Sequence, residues 1–172
     1  MKTLGAVLAG GRSRRFGSDK AVAMLDGQTL LDHARAALHP HCDAVVIVGR
    51  ESGIADWPRP DMGPLGAIAG ALRHAATNGF GQVLIAPVDC VRLPTDLRAR
   101  LEPASAFVDT QPVVGLWSVT ALDDLQAMLT GEDDHAVRAF ARRVGARGIA
   151  VDFALPNINS ADDLARLAGD PG

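Results

Sequence analysis

Thirteen residues near the start of the chain, LAGGRSRRFGSDK (8–20), gather two adjacent glycines, three arginines, a third glycine and an Asp-Lys pair directly after an apolar run. Glycines let the main chain approach a ligand closely and aim N–H groups at it, and clustered cations favour an anion at the same place. Both features suit a polyanion, of which a nucleoside triphosphate is the commonest small example. Two familiar phosphate cradles do not fit. The G-x-x-x-x-G-K-[ST] loop fails because five residues separate Gly11 from Gly17 and Ser18 follows it, and G-x-G-x-x-G is absent. The stretch reads as a phosphate site of another design, with Lys20 at the entrance to a helix whose positive dipole end adds to the attraction.

Asp89 follows the apolar run QVLIAPV (82–88) and is expected as a surface carboxylate at the carboxyl end of a central strand, where open α/β sheets bind ligands. Asp56 precedes Gly63 by seven residues, and Asn157 and Asn159 flank Ile158 just before a helical pattern. Taken alone, these three also suit a solvated loop carboxylate and turn or helix-cap residues. His33, His39, His41, His74 and His135 match no metal-ligand spacing. Cys42 and Cys90 stand far apart without a Cys-x-x-Cys, which argues against a metal knuckle or disulfide framework and for a reduced, cytoplasmic chain.

These residues need elements to position them. TLGAVLA (3–9), AVVIVG (44–49) and QVLIAPVD (82–89) read as buried strands, the apolar kind found in a parallel sheet covered on both faces. Between them, 29–38 and 63–76 carry helical spacing, through Leu30, Ala34 and Ala37 or Leu38 and through Leu65, Ile68, Ala69, Leu72 and Ala76. Alternating strands and helices predict a doubly wound, mostly parallel α/β sheet with helices on both faces. The second half is less regular: a short helix over 94–101, strands in SAFVD and PVVGLW, a helix over 135–145, a strand over 147–153, and a helix over 159–168 with Ser160 and Asp163 spaced as a capping box. No repeat or long linker appears, so 1–172 reads as one domain.

Composition sets the class. The chain has 172 residues, 48% apolar and 22% charged, which suits a soluble globular protein and not a disordered one. A net charge of −3 supplies no global basic field for nucleic acid, so the positive charge of 8–20 is local. The opening apolar run is too short for a membrane span or signal-peptide core. Neither nucleic acid nor a membrane is expected as a partner.

LAGGRSRRFGSDK resembles the signature L-A-G-G-x-S-x-R-M-G-x-D-K of the MobA-like nucleotidyltransferases, with Phe16 where that family commonly has Met. The likeness continues through DWPRPDMGPLGAIAG, APVDCVRLP and NINSADDL in the family's order, and it departs at Asp89-Cys90-Val91, where the family usually reads Asp-x-Pro. Within the family the pattern is nearest to the guanylyltransferases of molybdenum cofactor synthesis.

The resemblance implies a single Rossmann-like domain of the nucleotide-diphospho-sugar transferase type. It implies a Mg²⁺-dependent transfer of GMP from GTP to molybdopterin with release of pyrophosphate. It places Leu8, Ala9, Gly10 and Gly11 beneath the nucleoside, Arg15 and Lys20 on the triphosphate, Asp89 on Mg²⁺, Asp56 near guanine, and Asn157 and Asn159 on the pterin side. Arg12 and Arg14 read as exposed loop charges. Molybdoenzymes or cofactor-delivery proteins are the protein partners it admits. Two alternatives stay open: a cytidylyl- or sugar-1-phosphate nucleotidyltransferase using the same loop, and a nucleotide- or cofactor-binding delivery protein without turnover.

Overall fold

The computed structural model describes residues 1–10, 19–132 and 134–169. Six strands form one sheet in the order β4-β1-β5-β7-β6-β8. They are β1 (Thr3–Leu8), β4 (Ala44–Val48), β5 (Gln82–Pro87), β6 (Ala106–Val108), β7 (Gln111–Ser118) and β8 (Arg147–Ile149). β1 pairs in parallel with both β4 and β5, and β6 with β8, while β7 alone runs against its neighbours β5 and β6. The sheet is therefore mostly parallel, as expected, with one reversed strand in its middle. β2 (Met24–Leu25) and β3 (Gln28–Thr29) form a separate hairpin.

Side chains alternate across the sheet, and each face carries its own core. On one face, Leu4, Ala6, Val83 and Ile85 meet α2 (Gly63–Thr77), α4 (Leu122–Thr130) and α5 (Val137–Arg143) through Ile68, Leu72, Leu125, Met128 and Phe140. On the other, Val7, Leu84, Ala86 and Leu116 meet α1 (Leu30–Leu38) and α3 (Leu97–Leu101), with α6 (Ala161–Ala168) adding partly buried Leu164 and Leu167 at the margin. The apolar strands of the first half are apolar because both faces are covered.

Three local outcomes differ from the sequence reading. Lys20 does not open an α-helix: it begins a single 3₁₀ turn, Lys20–Val22, which leads straight into the β2–β3 hairpin. The hairpin turns at Asp26-Gly27, both at positive φ (49° and 80°), the conformation that Asp-Gly favours in tight hairpins. Three residues carry no useful helix dipole, so the charge at this point is that of Lys20 itself. The C-terminal strand is shorter than 147–153, ending at Ile149, because only β6 lies beside it and β6 is itself three residues long. α4 fills a stretch over which the sequence reading has no element, although Leu122, Leu125 and Leu129 repeat at helical spacing with Asp123 and Asp124 in the first turn.

Candidate active site

The carboxyl ends of β1, β4 and β5 come together at one edge of the sheet. Ala9 N donates to Val48 O at 3.0 Å and Val88 N to Leu8 O at 3.0 Å, so the residues just past all three strands are laced to one another. Gly10 and Gly49 meet backbone to backbone: a Cβ on Gly49, at φ +83°, would stand 2.7 Å from Gly10 Cα. Only a glycine fits at 49, which accounts for its presence at the edge where these strands end.

Asp89 lies two residues beyond β5 on a turn closed by Cys90 N donating to Pro87 O at 2.9 Å. It is buried, not the surface carboxylate expected. The turn tucks Cys90 and Val91 into the core beneath it, so the departure from Asp-x-Pro is accommodated by apolar side chains and the carboxylate is drawn inward with them. Lys20 Nζ donates to Asp89 Oδ2 at 3.2 Å, with the two side chains only 13% and 11% exposed. Asp89 Oδ1 is buried and has no hydrogen-bond partner among the described residues. A carboxylate with one oxygen on a lysine and the other unengaged is suited to a cation carrying phosphate.

At the same edge of the sheet, a cavity of about 460 Å³ is lined by Leu8, Gly10, Asp56, Pro64, Pro87 and Val113, among others. It sits where β1 and β5 end, where α2 begins at Gly63-Pro64, and where β7 enters the sheet. Asp56 Oδ1 is buried with no partner among the described residues. Burial, with the Asp61 carboxylate as a second cause, pushes the Asp56 carboxyl above the ordinary aspartate range. An acceptor left unpaired in this way is relieved by a ligand that brings N–H donors.

Farther along the same edge, a second cavity of about 520 Å³ is lined by Thr110, Gln111, Asp152, Phe153, Leu155 and Asn157. Gln111 Nε2 donates to Cys90 Sγ at 3.5 Å, which ties this region to the residue after Asp89. Asn157 faces this cavity, whereas Asn159 has a capping part in which its backbone N donates to Asp163 Oδ2 at 3.0 Å. The Ser160–Asp163 capping box is formed as the spacing predicts.

The structure thus brings Lys20 to Asp89, sets Leu8, Gly10 and Asp56 around one cavity, buries Ala9 in the core between Leu8 and Gly10, and puts Asn157 at another cavity. Gly11, Arg12, Arg14 and Arg15 lie outside the described residues. Residues that the sequence reading does not single out are Gln111, next to Cys90, and Arg50, whose fork grips Asp19. Arg50 stands two residues past the end of strand β4, a position that gives it a signal only once the strand order is known. Among the described residues no helix is long and apolar enough to cross a membrane, and no group of three or more His, Cys, Asp or Glu is placed to hold a metal.

Known proteins agree with this layout. Residues 5–148 match the MobA-like NTP transferase domain. The molybdenum cofactor guanylyltransferase of Acidiphilium cryptum is 37% identical, with 92% of this chain and 90% of that protein covered. That of Sinorhizobium fredii is 35% identical over 86% of this chain and 77% of its own length. Molybdopterin-guanine dinucleotide biosynthesis protein A from Archaeoglobus fulgidus superposes with a TM-score of 0.76 at 22% identity, covering 96% of this chain and 97% of that one. CMP:2-keto-3-deoxy-manno-octonic acid synthetase superposes with a TM-score of 0.71 at 11% identity over 98% of both chains, a likeness of fold. The domain match and the relatives' identity over most of the chain give one conclusion: this protein belongs to the MobA-like NTP transferase family.

Proposed function

We propose that the protein is a molybdenum cofactor guanylyltransferase, transferring GMP from GTP to molybdopterin with release of pyrophosphate in the cytoplasm. The observation that carries the reading is the buried, unpartnered Oδ1 of Asp89 beside Lys20, at the edge where three strands end. Asp89 would hold Mg²⁺ through its free oxygen, and the ion would supply charge neutralisation on the triphosphate. One protein carboxylate is an ordinary share for that ion.

Lys20 meets the phosphates as the negative charge of pyrophosphate develops, and its contribution is largest in the transition state. Leu8, Ala9, Gly10 and Gly11 form the floor under the nucleoside, and Arg15 shares the triphosphate with Lys20. Asp56 reads the base. Its carboxylate can accept from both N1–H and the exocyclic amine of guanine, an arrangement that adenine, cytosine and uracil do not offer. Those two donors also offset the cost of burying Oδ1. The cavity lined by Asn157 receives the acceptor, whose own phosphate is the nucleophile, so no serine or cysteine nucleophile is required of the protein.

The test is pyrophosphate release and dinucleotide formation with GTP, ATP or CTP, each with Mg²⁺ and molybdopterin. GTP is expected to lead by at least about tenfold in kcat/KM. A preference for CTP overturns the guanylyl assignment in favour of a cytidylyltransferase, and binding without pyrophosphate release leaves a carrier in place of an enzyme.

A further inference from the structure

Arg50 has no part in the chemistry just described, yet it makes the best-formed exposed ion pair of the site. Its Nη1 donates to Asp19 Oδ1 at 3.0 Å and its Nη2 to Asp19 Oδ2 at 2.7 Å, a two-point fork that fixes the carboxylate's plane as well as its position. Asp19 Oδ1 also accepts from Ala21 N at 3.1 Å and so caps the 3₁₀ turn that contains Lys20. One carboxylate is thereby shared between Arg50 and the turn whose first residue reaches Asp89. We propose that Arg50 is a positioning residue for nucleotidyl transfer, acting through Asp19 to hold Lys20 against Asp89.

Three observations converge on this. The anchor is firm: Arg50 O accepts from Gly53 N at 2.9 Å, Gly49 N donates to Ile54 O at 2.8 Å, and Gly49 is packed on Gly10. The residues on either side of 11–18, Gly10 and Asp19, consequently both bear on the dipeptide Gly49-Arg50. Charge points the same way, because Asp19 is the chain neighbour of the lysine that meets the triphosphate and would repel phosphate if uncompensated. The Arg50 bond holds the Asp19 carboxyl below the ordinary aspartate range, so that it stays a paired anion. Finally, the pair is open to solvent, with side chains 27% and 48% exposed, and an ion pair so exposed adds little to fold stability. Its consequence is geometric.

The readout rests on the activity proposed above. Steady-state kcat and KM are measured for wild type, Arg50→Ala, Asp19→Ala, the double variant and Arg50→Lys, with the triphosphate that wild type turns over fastest. Each alanine variant is expected to lose about tenfold in kcat with little change in KM, as a displaced catalytic group does. The double variant should be no worse than either single one, because both remove the same contact. Arg50→Lys stays below wild type, since an ammonium keeps the charge and loses the fork.

Additive losses, or an Asp19→Ala variant as active as wild type, overturn the proposal by showing that Arg50 grips the substrate directly. Full activity in Arg50→Lys reduces the pair to charge neutralisation and overturns it as well. A fall in Tm that tracks the loss of kcat across the set does the same by assigning the effect to folding. Failure of the guanylyl reading is seen separately, in the triphosphate preference of wild type alone.

Discussion

The two halves of the ligand-binding edge are built on opposite principles. On the side proposed for the nucleotide, β1, β4 and β5 end together, and the polar groups there are buried and incompletely paired: Asp89 Oδ1 and Asp56 Oδ1 have no partner among the described residues. On the side of β6, β8 and α6, the polar groups are half-buried or exposed and engaged with one another, as in the Ser160–Asp163 box and the bond from Asn159 N to Asp163. Buried acceptors without donors cost free energy in the empty protein and recover it when a ligand supplies the donors or a cation. Exposed, satisfied groups change little on binding. The nucleotide half should therefore respond to single substitutions in its chemistry, and the acceptor half mainly in stability and modest affinity.

The sharpest test of this contrast is Asp89. Because the carboxylate is buried against Lys20, alanine would remove both the counter-charge and the hydrogen-bond acceptor from a nearly closed site, whereas the isosteric Asp89→Asn removes the charge and keeps an acceptor oxygen for Lys20, which makes it the cleaner variant. It should lose about a thousandfold in kcat, the scale of several kcal/mol of transition-state charge stabilisation, while melting near wild type. Lys20→Ala is expected to follow in kcat more than in GTP affinity. Retention of a tenth or more of wild-type turnover by Asp89→Asn at saturating Mg²⁺ would remove Asp89 from the reaction.

Asp56 gives a smaller effect on a different observable. Asp56→Ala should bring the GTP-to-ATP ratio of kcat/KM down by about tenfold, because the carboxylate rejects a base with no N1 donor more than a cavity wall can. Its pH dependence has a definite sign. Burial raises the carboxyl above the ordinary aspartate range, so on acidification it takes up a proton earlier than an exposed aspartate, and guanine selectivity should fall in that interval before the fold is affected. The same raised carboxyl favours the unfolded state at neutral pH, since the unfolded chain ionises more readily there. Asp56→Asn should remove the acidic fall in selectivity, and a pH-independent GTP-to-ATP ratio in wild type would move base selection to another group.

The sequence makes these two halves unequally legible, for a physical reason. Strands β1, β4 and β5 and helices α1 and α2 follow from local hydrophobic period, and Asp89 stands just past the end of β5, so locating that strand locates it; Lys20 and Asp56 lie within the β1–α1 and β4–α2 connections, where the motif and not the period marks them. The reversed strand β7 and the short pairs with β6 and β8 depend on contacts distant in sequence, which no local period encodes. Burial of Asp89 was not legible either, since it follows from Cys90 and Val91 packing inward after the turn. The Arg50–Asp19 fork joins residues on two elements and becomes visible only when β4 is seen beside β1.

In the acceptor half, Ser160→Ala should cost about 1 kcal/mol of stability, the usual value of an N-cap, and leave kcat untouched. Thermal melting and steady-state rates measured together check it. Hydrogen bonds from Asn159 N and from the Ser160 cap hold the Asp163 carboxyl below the ordinary aspartate range. The stability it contributes is present above the unfolded-state value and is lost as pH falls through the lower folded one. α6 should consequently loosen only at strongly acidic pH. A loss of kcat in Ser160→Ala at a temperature where the fold is intact would tie α6 to catalysis and erase the contrast on that side.

The smallest effect separates two asparagines that the sequence treats as a pair. Asn157 lines the cavity with Gln111 and Phe153, whereas the Asn159 backbone serves the cap of α6. If the cavity receives the acceptor, Asn157→Ala removes one solvent-accessible hydrogen bond and should raise KM for molybdopterin about threefold, near the lower end of what a neutral hydrogen bond contributes. KM for GTP should not move if that ligand occupies the cavity at β1, β5 and α2, as proposed above. Asn159→Ala should leave both constants unchanged, since the bond it makes in the cap comes from its main chain and survives the substitution. Initial-rate measurements that vary each substrate at saturation of the other resolve the two constants. Equal threefold increases from both variants would mean that the two side chains contact the acceptor together and that the α6 terminus is part of its pocket. An increase confined to GTP would place Asn157 on the nucleotide side, and the division of the edge into two halves would then fail at a residue that lines its second cavity.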